Sequence, residues 1–152
     1  MRNTNETDLE EVFKLIQSAF ENKAESDLVR RLISDGDVLI NLLVESSDSI
    51  IGNVVVSKTT MEPDVGLFCG GVGPLSVLPE QQSLGVGSKL MREAVNESKN
   101  LGMDALFLLG DPDYYKRFGF TVSKQRNDFS VKHFQELQLI KGCLTNVKAK
   151  IK

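Results

Sequence analysis

Val72 to Asn100 reads VGPLSVLPEQQSLGVGSKLMREAVNESKN, and the order of its parts decides the fold. The apolar run Val72–Leu78 stops at Pro79, and the polar turn Glu80-Gln81-Gln82-Ser83 follows. Gly85 and Gly87 then open a segment of helical period, in which Leu90, Met91, Ala94, Val95 and Ser98 share one face. A buried strand, a glycine-bearing turn and a helix over Gly85–Asn100 are therefore predicted in succession. Such a junction aims unpaired backbone N–H groups and the positive end of a helix dipole at one point. Glycines there let a phosphate approach the backbone closely. The stretch reads as an anion site between a strand and a helix.

Two familiar phosphate loops do not fit it. A P-loop requires Gly, four residues and then Gly-Lys-Ser/Thr, whereas Gly87-Ser88-Lys89 has the last two in the other order. A dinucleotide fingerprint ends in a small residue, whereas Gly85-Val86-Gly87-Ser88-Lys89-Leu90 ends in leucine. Further along, the apolar strand Asp104–Leu109 leads into Gly110-Asp111-Pro112-Asp113-Tyr114-Tyr115-Lys116-Arg117-Phe118-Gly119-Phe120.

Gln82-x-x-Gly85-x-Gly87 after Leu75–Pro79 resembles the Q/R-x-x-G-x-G/A acyl-CoA loop of the GCN5-related N-acetyltransferases. Tyr115 to Phe120 resembles the Y-x-x-x-G-F motif that follows the fifth strand of that family. The Gly-Asp-Pro-x-Tyr-Tyr and Arg-Phe-Gly-Phe segments are similar to its YhbS-like branch of predicted bacterial acetyltransferases. The two motifs stand in the right order, and the resemblance extends weakly back through Glu25–Ser57. It implies a mixed α/β fold: a mostly antiparallel twisted sheet, a splayed parallel strand pair and helices on both faces. It also implies an acyl-CoA-dependent N-acetyltransferase, with acetyl-CoA as co-substrate and direct attack by an amine in a ternary complex.

Composition agrees with one globular domain over residues 1–152, long enough to bury roughly 70% of its unfolded surface. Hydrophobic residues are 41% and charged residues 26%, which is ordinary globular usage. A net charge of −3 with interspersed signs makes no electrostatic case for nucleic acid or an anionic membrane. No apolar run approaches about 18 residues, and the start MRNTNETDLEEV has no signal-peptide core. Cys69 and Cys143 form no metal or redox spacing and read as reduced thiols of a cytoplasmic protein. No metal is expected, and the resemblance allows a homodimer.

In chain order, the first residues offer a short edge strand, and Thr7 with Glu10 has capping-box spacing. Leu9, Val12, Phe13, Ile16, Ala19 and Phe20 predict a first helix; Leu28, Val29, Leu32 and Ile33 a second that Gly36 ends. Val38–Glu45 and Ile50–Lys58 predict a hairpin, with a bulge or a close backbone approach at Gly52. Thr59–Gly66 reads as a loop. Gly73 and Pro74 predict a bulge or splay within the strand Leu67–Leu78. A short helix is expected at Tyr114–Phe118, then strands at Phe120–Ser123, Phe129–Val131, Phe134–Leu139 and Asn146–Ile151.

For the chemistry, backbone N–H groups around Ser83, Leu84, Gly85, Val86, Gly87 and Ser88 suit a pyrophosphate. Gln82 can cap the turn, and the resemblance implies that its position shapes the loop around a diphosphate. Backbone groups of Leu75 and Val77 can pair with pantetheine amides as an added strand would. The resemblance implies that a main-chain N–H at Val77 or a close neighbour polarises the thioester carbonyl. The departing thiolate needs a donor still protonated at neutral pH, as tyrosine is. The motif points to Tyr115 as that general acid, with Tyr114 able to exchange roles; both also suit packing a short helix on a sheet. His133 reads as solvated or structural, Cys69 as an inert thiol, and Asp111-Pro112 equally as a cap or a polar contact. Glu25, Glu62, Asp64, Glu80 or a water chain can serve as base, so the base is unassigned. Acceptors implied are small amines or protein amino groups. Two other readings are a non-catalytic acyl-CoA-binding or regulatory module and a nucleotide-binding protein using the same glycine turn.

Overall fold

The computed structural model describes residues 1–127 and 132–152, so the strand expected at Phe129–Val131 lies outside the described residues. In chain order the elements are β1 (Arg2–Asn3), α1 (Leu9–Phe20), α2 (Ala24–Ser34), β2 (Val38–Ser46), β3 (Ser49–Thr59) and β4 (Met61–Glu62). Then follow β5 (Cys69–Val77), α3 (Val86–Asn100), β6 (Ala105–Leu109), α4 (Pro112–Tyr115), β7 (Thr121–Val122), β8 (Phe134–Gln138) and β9 (Lys150–Ile151). They group into two compact units, Met1–Ser57 with Gly73–Asn96 and Lys58–Val72 with Glu97–Lys152.

The first unit has the strand order β1-β2-β3-β5. The β1–β2 and β2–β3 pairs are antiparallel. Ser47 and Asp48 both take positive φ in the hairpin turn, which matches the twist of the strands it joins. The apolar stripe of α1 buries Val12, Phe13, Leu15 and Ile16 against Val29 of α2 and Leu43, Ile50 and Val55 of the strands. Each such side chain contributes roughly 1.5–3 kcal/mol by leaving water. Gly36 takes φ +74° just beyond α2, as a left-handed cap does.

The capping box is not at Thr7 and Glu10. Asn5 accepts from the Thr7 backbone N–H at 3.0 Å, and the Asp8 carboxylate accepts from the Asn5 N–H at 2.8 Å. The box thus sits on the turn Glu6–Asp8 that leads into α1. Arg2 explains the shift, because its guanidinium donates to both Asp8 oxygens at 2.7 and 2.8 Å and to Glu45 at 2.6 Å.

Of the two expectations at Gly52, the bulge is present, and the close approach there is made by side chains rather than backbone. The β2–β3 register shifts between Val44 and Glu45, where Val44 faces Gly52 and Glu45 faces Ile50. A Cβ at Gly52 would also lie 2.8 Å from Val86 Cγ1 and 2.9 Å from Leu90 Cδ1. The missing side chain is what seats the first turn of α3 on β3.

The second unit has the strand order β5-β6-β8-β7, with β4 and β9 paired separately. Cys69, Gly70 and Gly71 pair parallel with Ala105, Leu106 and Phe107, and the ladder ends there. Two residues on, Gly73 takes φ +148°, which is the break that Gly73-Pro74 predicted in this strand. The β6–β8, β7–β8 and β4–β9 pairs are antiparallel. Cys69, Ala105, Phe107, Phe134, Leu144 and Ile151 form the core, with the Phe107 and Phe134 rings stacked at 5.5 Å.

Several expected bounds are corrected here. The loop Thr59–Gly66 contains β4, whose Met61 pairs with Ile151 across most of the chain. The strand expected over Asn146–Ile151 is reduced to Lys150–Ile151, and that over Phe120–Ser123 to Thr121–Val122. Local propensity misses these because the partner strand, remote in sequence, sets where pairing begins. Mostly antiparallel pairing with one parallel pair, together with helices, is the mixed α/β architecture expected.

Candidate active site

The first group of site residues lies where β5 gives way to α3, within the first unit. The Leu78 N–H donates to Ile51 O of β3 at 2.9 Å. Backbone groups alternate sides along an extended strand, so the N–H groups of Val77 and Leu75 point away from β3. The Val77 carbonyl, on that same side, accepts from Gln82 Nε2 at 3.1 Å. Gln82 therefore folds the turn back onto the strand end. Ser76, between Leu75 and Val77, is fully buried, and its Oγ has no hydrogen-bond partner among the described residues.

Ser83 takes φ +65° and Gly85 φ +91°, which coil the loop tightly ahead of the helix. The Gly85 carbonyl accepts from Lys89 N–H at 3.1 Å and opens α3. The helix thus starts at Val86, one residue later than expected, because Gly85 is its left-handed entry residue. Val86 and Gly87 stand ahead of that first bond, where helical N–H groups have no intrahelical acceptor. Gln82, Ser83, Leu84 and Gly85 are exposed, while Val86, Gly87 and Ser88 are half-buried. A Cβ built at Gly85 meets nothing within 4 Å, so the space beside the loop there is open. This cradle fits a diphosphate: unpaired N–H groups, a positive helix end and no side chain in the way.

The second group lies between β6 and β7, within the second unit. Asp111 caps α4, its side chain accepting from Asp113 N–H at 2.9 Å and its carbonyl from the N–H groups of Tyr114 and Tyr115, each at 3.1 Å. Asp111-Pro112 thus starts a helix, the cap role being one of the two expected of it. The expected helix Tyr114–Phe118 is α4 followed by the 3-10 turn Lys116–Phe118, which Gly119 closes at φ +96°.

Helix phase now separates the two tyrosines. Tyr114 carries the Arg117 guanidinium over its ring at 4.4 Å, and its carbonyl accepts from Arg117 Nε at 2.7 Å. Tyr115 packs edge-on to Tyr114 at 4.9 Å between centroids and meets Phe118 and Phe120 at 6.3 Å. Its other side rests on Gly110, where a Cβ would overlap the ring. Burial, and secondarily the charge of Tyr114, push the Tyr115 phenol up to about 12. It stays protonated throughout the neutral range, as a proton donor to a thiolate must.

Sequence reasoning missed what holds Gly110. Gln135 is fully buried and donates from Nε2 to Gly110 O at 2.9 Å, while Gly110 N–H donates to His133 O at 3.1 Å. Nothing local signals a contact spanning 25 residues. His133 thus contributes through its backbone.

Cys69 is buried beside Met61 Sδ at 3.9 Å, and burial above all pushes its thiol up to about 12, which removes it as a nucleophile. Among the carboxylates considered as base, Glu62 is paired with Lys152 at 2.6 Å, and that hydrogen bond holds its pKa down. Asp64 accepts from Gly66 N–H at 2.8 Å, and Glu25 Oε2 is buried with no hydrogen-bond partner among the described residues. Among the described residues no group of three or more His, Cys, Asp and Glu is arranged to hold a metal. Among them, too, no helix is long and apolar enough to cross a membrane.

A glycine turn opening a helix thus follows the broken strand in the first unit, and a tyrosine-bearing turn follows the parallel strand β6 in the second. Residues 1–123 match the family model described as Acetyltransferase (GNAT) domain. The chain belongs to the GNAT acetyltransferase family. Among curated relatives, it is 28% identical over 120 residues to the uncharacterized N-acetyltransferase YjhQ of Escherichia coli K12, covering 77% of this chain and 66% of that protein. It is 31% identical over 110 residues to the uncharacterized N-acetyltransferase YhbS of the same strain, covering 72% of this chain and 65% of that one. The matched part thus spans about two thirds of the length of each.

Two solved structures carry the fold. That of Escherichia coli YhbS in complex with CoA superposes with a TM-score of 0.91 at 27% identity, covering 99% of this chain and 86% of that one. A GNAT family acetyltransferase from Brucella melitensis in complex with acetyl-CoA gives 0.79 at 29% identity, covering 91% and 86%.

Proposed function

We propose that this chain, acting over residues 1–152 as one cytoplasmic acetyltransferase domain, transfers the acetyl group of acetyl-CoA to an amine. The observation that carries the reading is the open cradle at Ser83–Ser88, seated on β3 by the close approach at Gly52. The CoA and acetyl-CoA held by its two structural relatives support the choice of ligand. N–H groups around Ser83, Leu84, Gly85, Val86, Gly87 and Ser88 bind the pyrophosphate, and Gln82 keeps the turn in shape. Leu75 and Val77 present the N–H groups that face away from β3 to the pantetheine arm. The N–H at Val77 or a close neighbour polarises the thioester carbonyl, an effect usually worth a few kcal/mol of barrier.

The neutral amine attacks that carbonyl carbon directly. As the C–N bond forms and the C–S bond breaks, Tyr115 gives its phenolic proton to the leaving sulfur. The nitrogen, which carries an extra proton once the C–N bond has formed, loses it to a base or water, and that proton returns to the Tyr115 phenolate through solvent, leaving a neutral amide and coenzyme A thiol. Tyr114 braces the Tyr115 ring and is the second choice of donor.

The test is release of coenzyme A thiol from acetyl-CoA with a panel of small amines and peptide amino groups. Tyr115→Phe should lower kcat about 100-fold or more, within the range general acids supply, with little change in the KM for acetyl-CoA. Unchanged kcat would remove the acid role. The packing of Tyr115 on Gly110 favours one other reading, a non-catalytic acyl-CoA-binding module, which would bind acetyl-CoA and give no turnover with any amine.

A further inference from the structure

The second unit contains a cavity of about 760 Å³ that shares no residue with the loop Leu75–Ser88 or with the two tyrosines. Its volume lies within the range of small-molecule sites. Its walls come from β7, β8 and the segments Lys124–Arg126 and Leu144–Ala149, and hydrogen bonds tie these together. Buried Gln125 donates from Nε2 to Val147 O at 2.9 Å and accepts the Ala149 N–H at 3.0 Å. Gln138 Oε1 accepts the Leu144 N–H at 2.9 Å. Arg126 N–H donates to Ala149 O at 3.0 Å, and Ile151 N–H to Arg126 O at 2.8 Å. A cavity braced this way needs little ordering to receive a ligand.

The charge of the lining is opposite to that of the chain, whose net is −3. Lys124, Arg126 and Lys148 line the cavity, and among the described residues none of them makes an ion pair. Glu136, the lining carboxylate, accepts a hydrogen bond from Ser123 Oγ at 2.7 Å. Glu62, whose charge also reaches Arg126, is already paired with Lys152. Val122, Leu144 and Val147 supply apolar wall. We propose that this cavity binds a small organic anion, a carboxylate or phosphate carried on an apolar body, at a site separate from the cofactor loop. The planar Arg126 guanidinium, with Lys124 and Lys148, takes the anionic group, and the apolar side chains take the body.

Amide chemical-shift titration of the full chain tests this, with phenylacetate and phenyl phosphate as the carboxylate and phosphate probes and benzylamine as the cationic control. Saturable shifts at Gln125, Arg126, Val147 and Ala149 are expected with at least one anion and not with benzylamine. The stronger of the two anions names the headgroup. The double variant Arg126→Gln/Lys148→Gln, at exposed positions, should keep the remaining spectrum and weaken binding at least about tenfold. The shifts should persist in the presence of saturating coenzyme A. No saturable shift with either anion, equal shifts with benzylamine, or undiminished binding by the double variant would overturn the site. Displacement by coenzyme A would overturn its separateness.

Discussion

The ring of Tyr115 lies on the Cα of Gly110, so close that glycine is the one residue with room there. Gly110→Ala should therefore push the ring off its seat and cost about 1–3 kcal/mol, as overpacking does. Urea unfolding should show the loss, and near-ultraviolet circular dichroism should show changed tyrosine packing. An alanine variant as stable as the parent would mean the ring shifts freely.

A second close approach controls the loop. At Gly52 a Cβ would meet Val86 and Leu90 side chains under 3.0 Å, so Gly52→Val should lift the first turn of α3 from β3. The expected cost is again about 1–3 kcal/mol in unfolding free energy. Because the loop Ser83–Ser88 rides on that turn, acetyl-CoA affinity should fall as well, which calorimetry would measure.

Much of this architecture is legible in the sequence because it is written in local terms. The stripe Leu90, Met91, Ala94 marks α3 by its period, and Gly73-Pro74 marks the break in β5. Gly52 carries its double role openly, since a glycine inside a strand signals a bulge or a neighbour pressed close. What is not legible depends on remote partners. The capping box falls at Asn5 rather than Thr7 because Arg2, itself bonded to Glu45, holds Asp8 in place, and β4 exists only through Lys150 and Ile151. In the site, the motif names Tyr115, but only helix phase separates it from Tyr114. Gln135, which braces Gly110, and the cationic cavity at Arg126 carry no local pattern at all.

Alkaline pH should weaken the fold through Tyr115. Its pKa is about 12 in the folded chain, against about 10 for an unperturbed tyrosine, so the folded state holds this proton more tightly. That stabilisation is complete below pH about 10 and is lost as pH rises through about 12. The shift amounts to roughly 2–3 kcal/mol at full deprotonation, and Tyr115→Phe should remove this share of the pH dependence. Urea unfolding at about pH 9 and about pH 11 checks it; identical slopes for parent and variant would refute it.

Acid acts at the other end of the chain. The Arg2 guanidinium, followed by the Asn5 N–H, holds the Asp8 carboxyl down at about 2. A lowered pKa gives stability that is present above the ordinary carboxylate value and is lost as pH falls through about 2. Arg2→Ala should return Asp8 toward the usual range, and carboxyl-detected NMR titration would show it. An unmoved titration would assign the shift to the turn alone.

Calorimetric binding of acetyl-CoA to the parent, Gly85→Ala and Gly85→Glu tests the central claim most directly. Alanine carries only the strain of φ +91°, whereas glutamate adds bulk and negative charge where the loop is open. The account predicts selective binding over ATP and NAD, modest weakening by alanine and loss of binding by glutamate. No binding by the parent, equal binding of ATP, or undiminished binding by Gly85→Glu would contradict it.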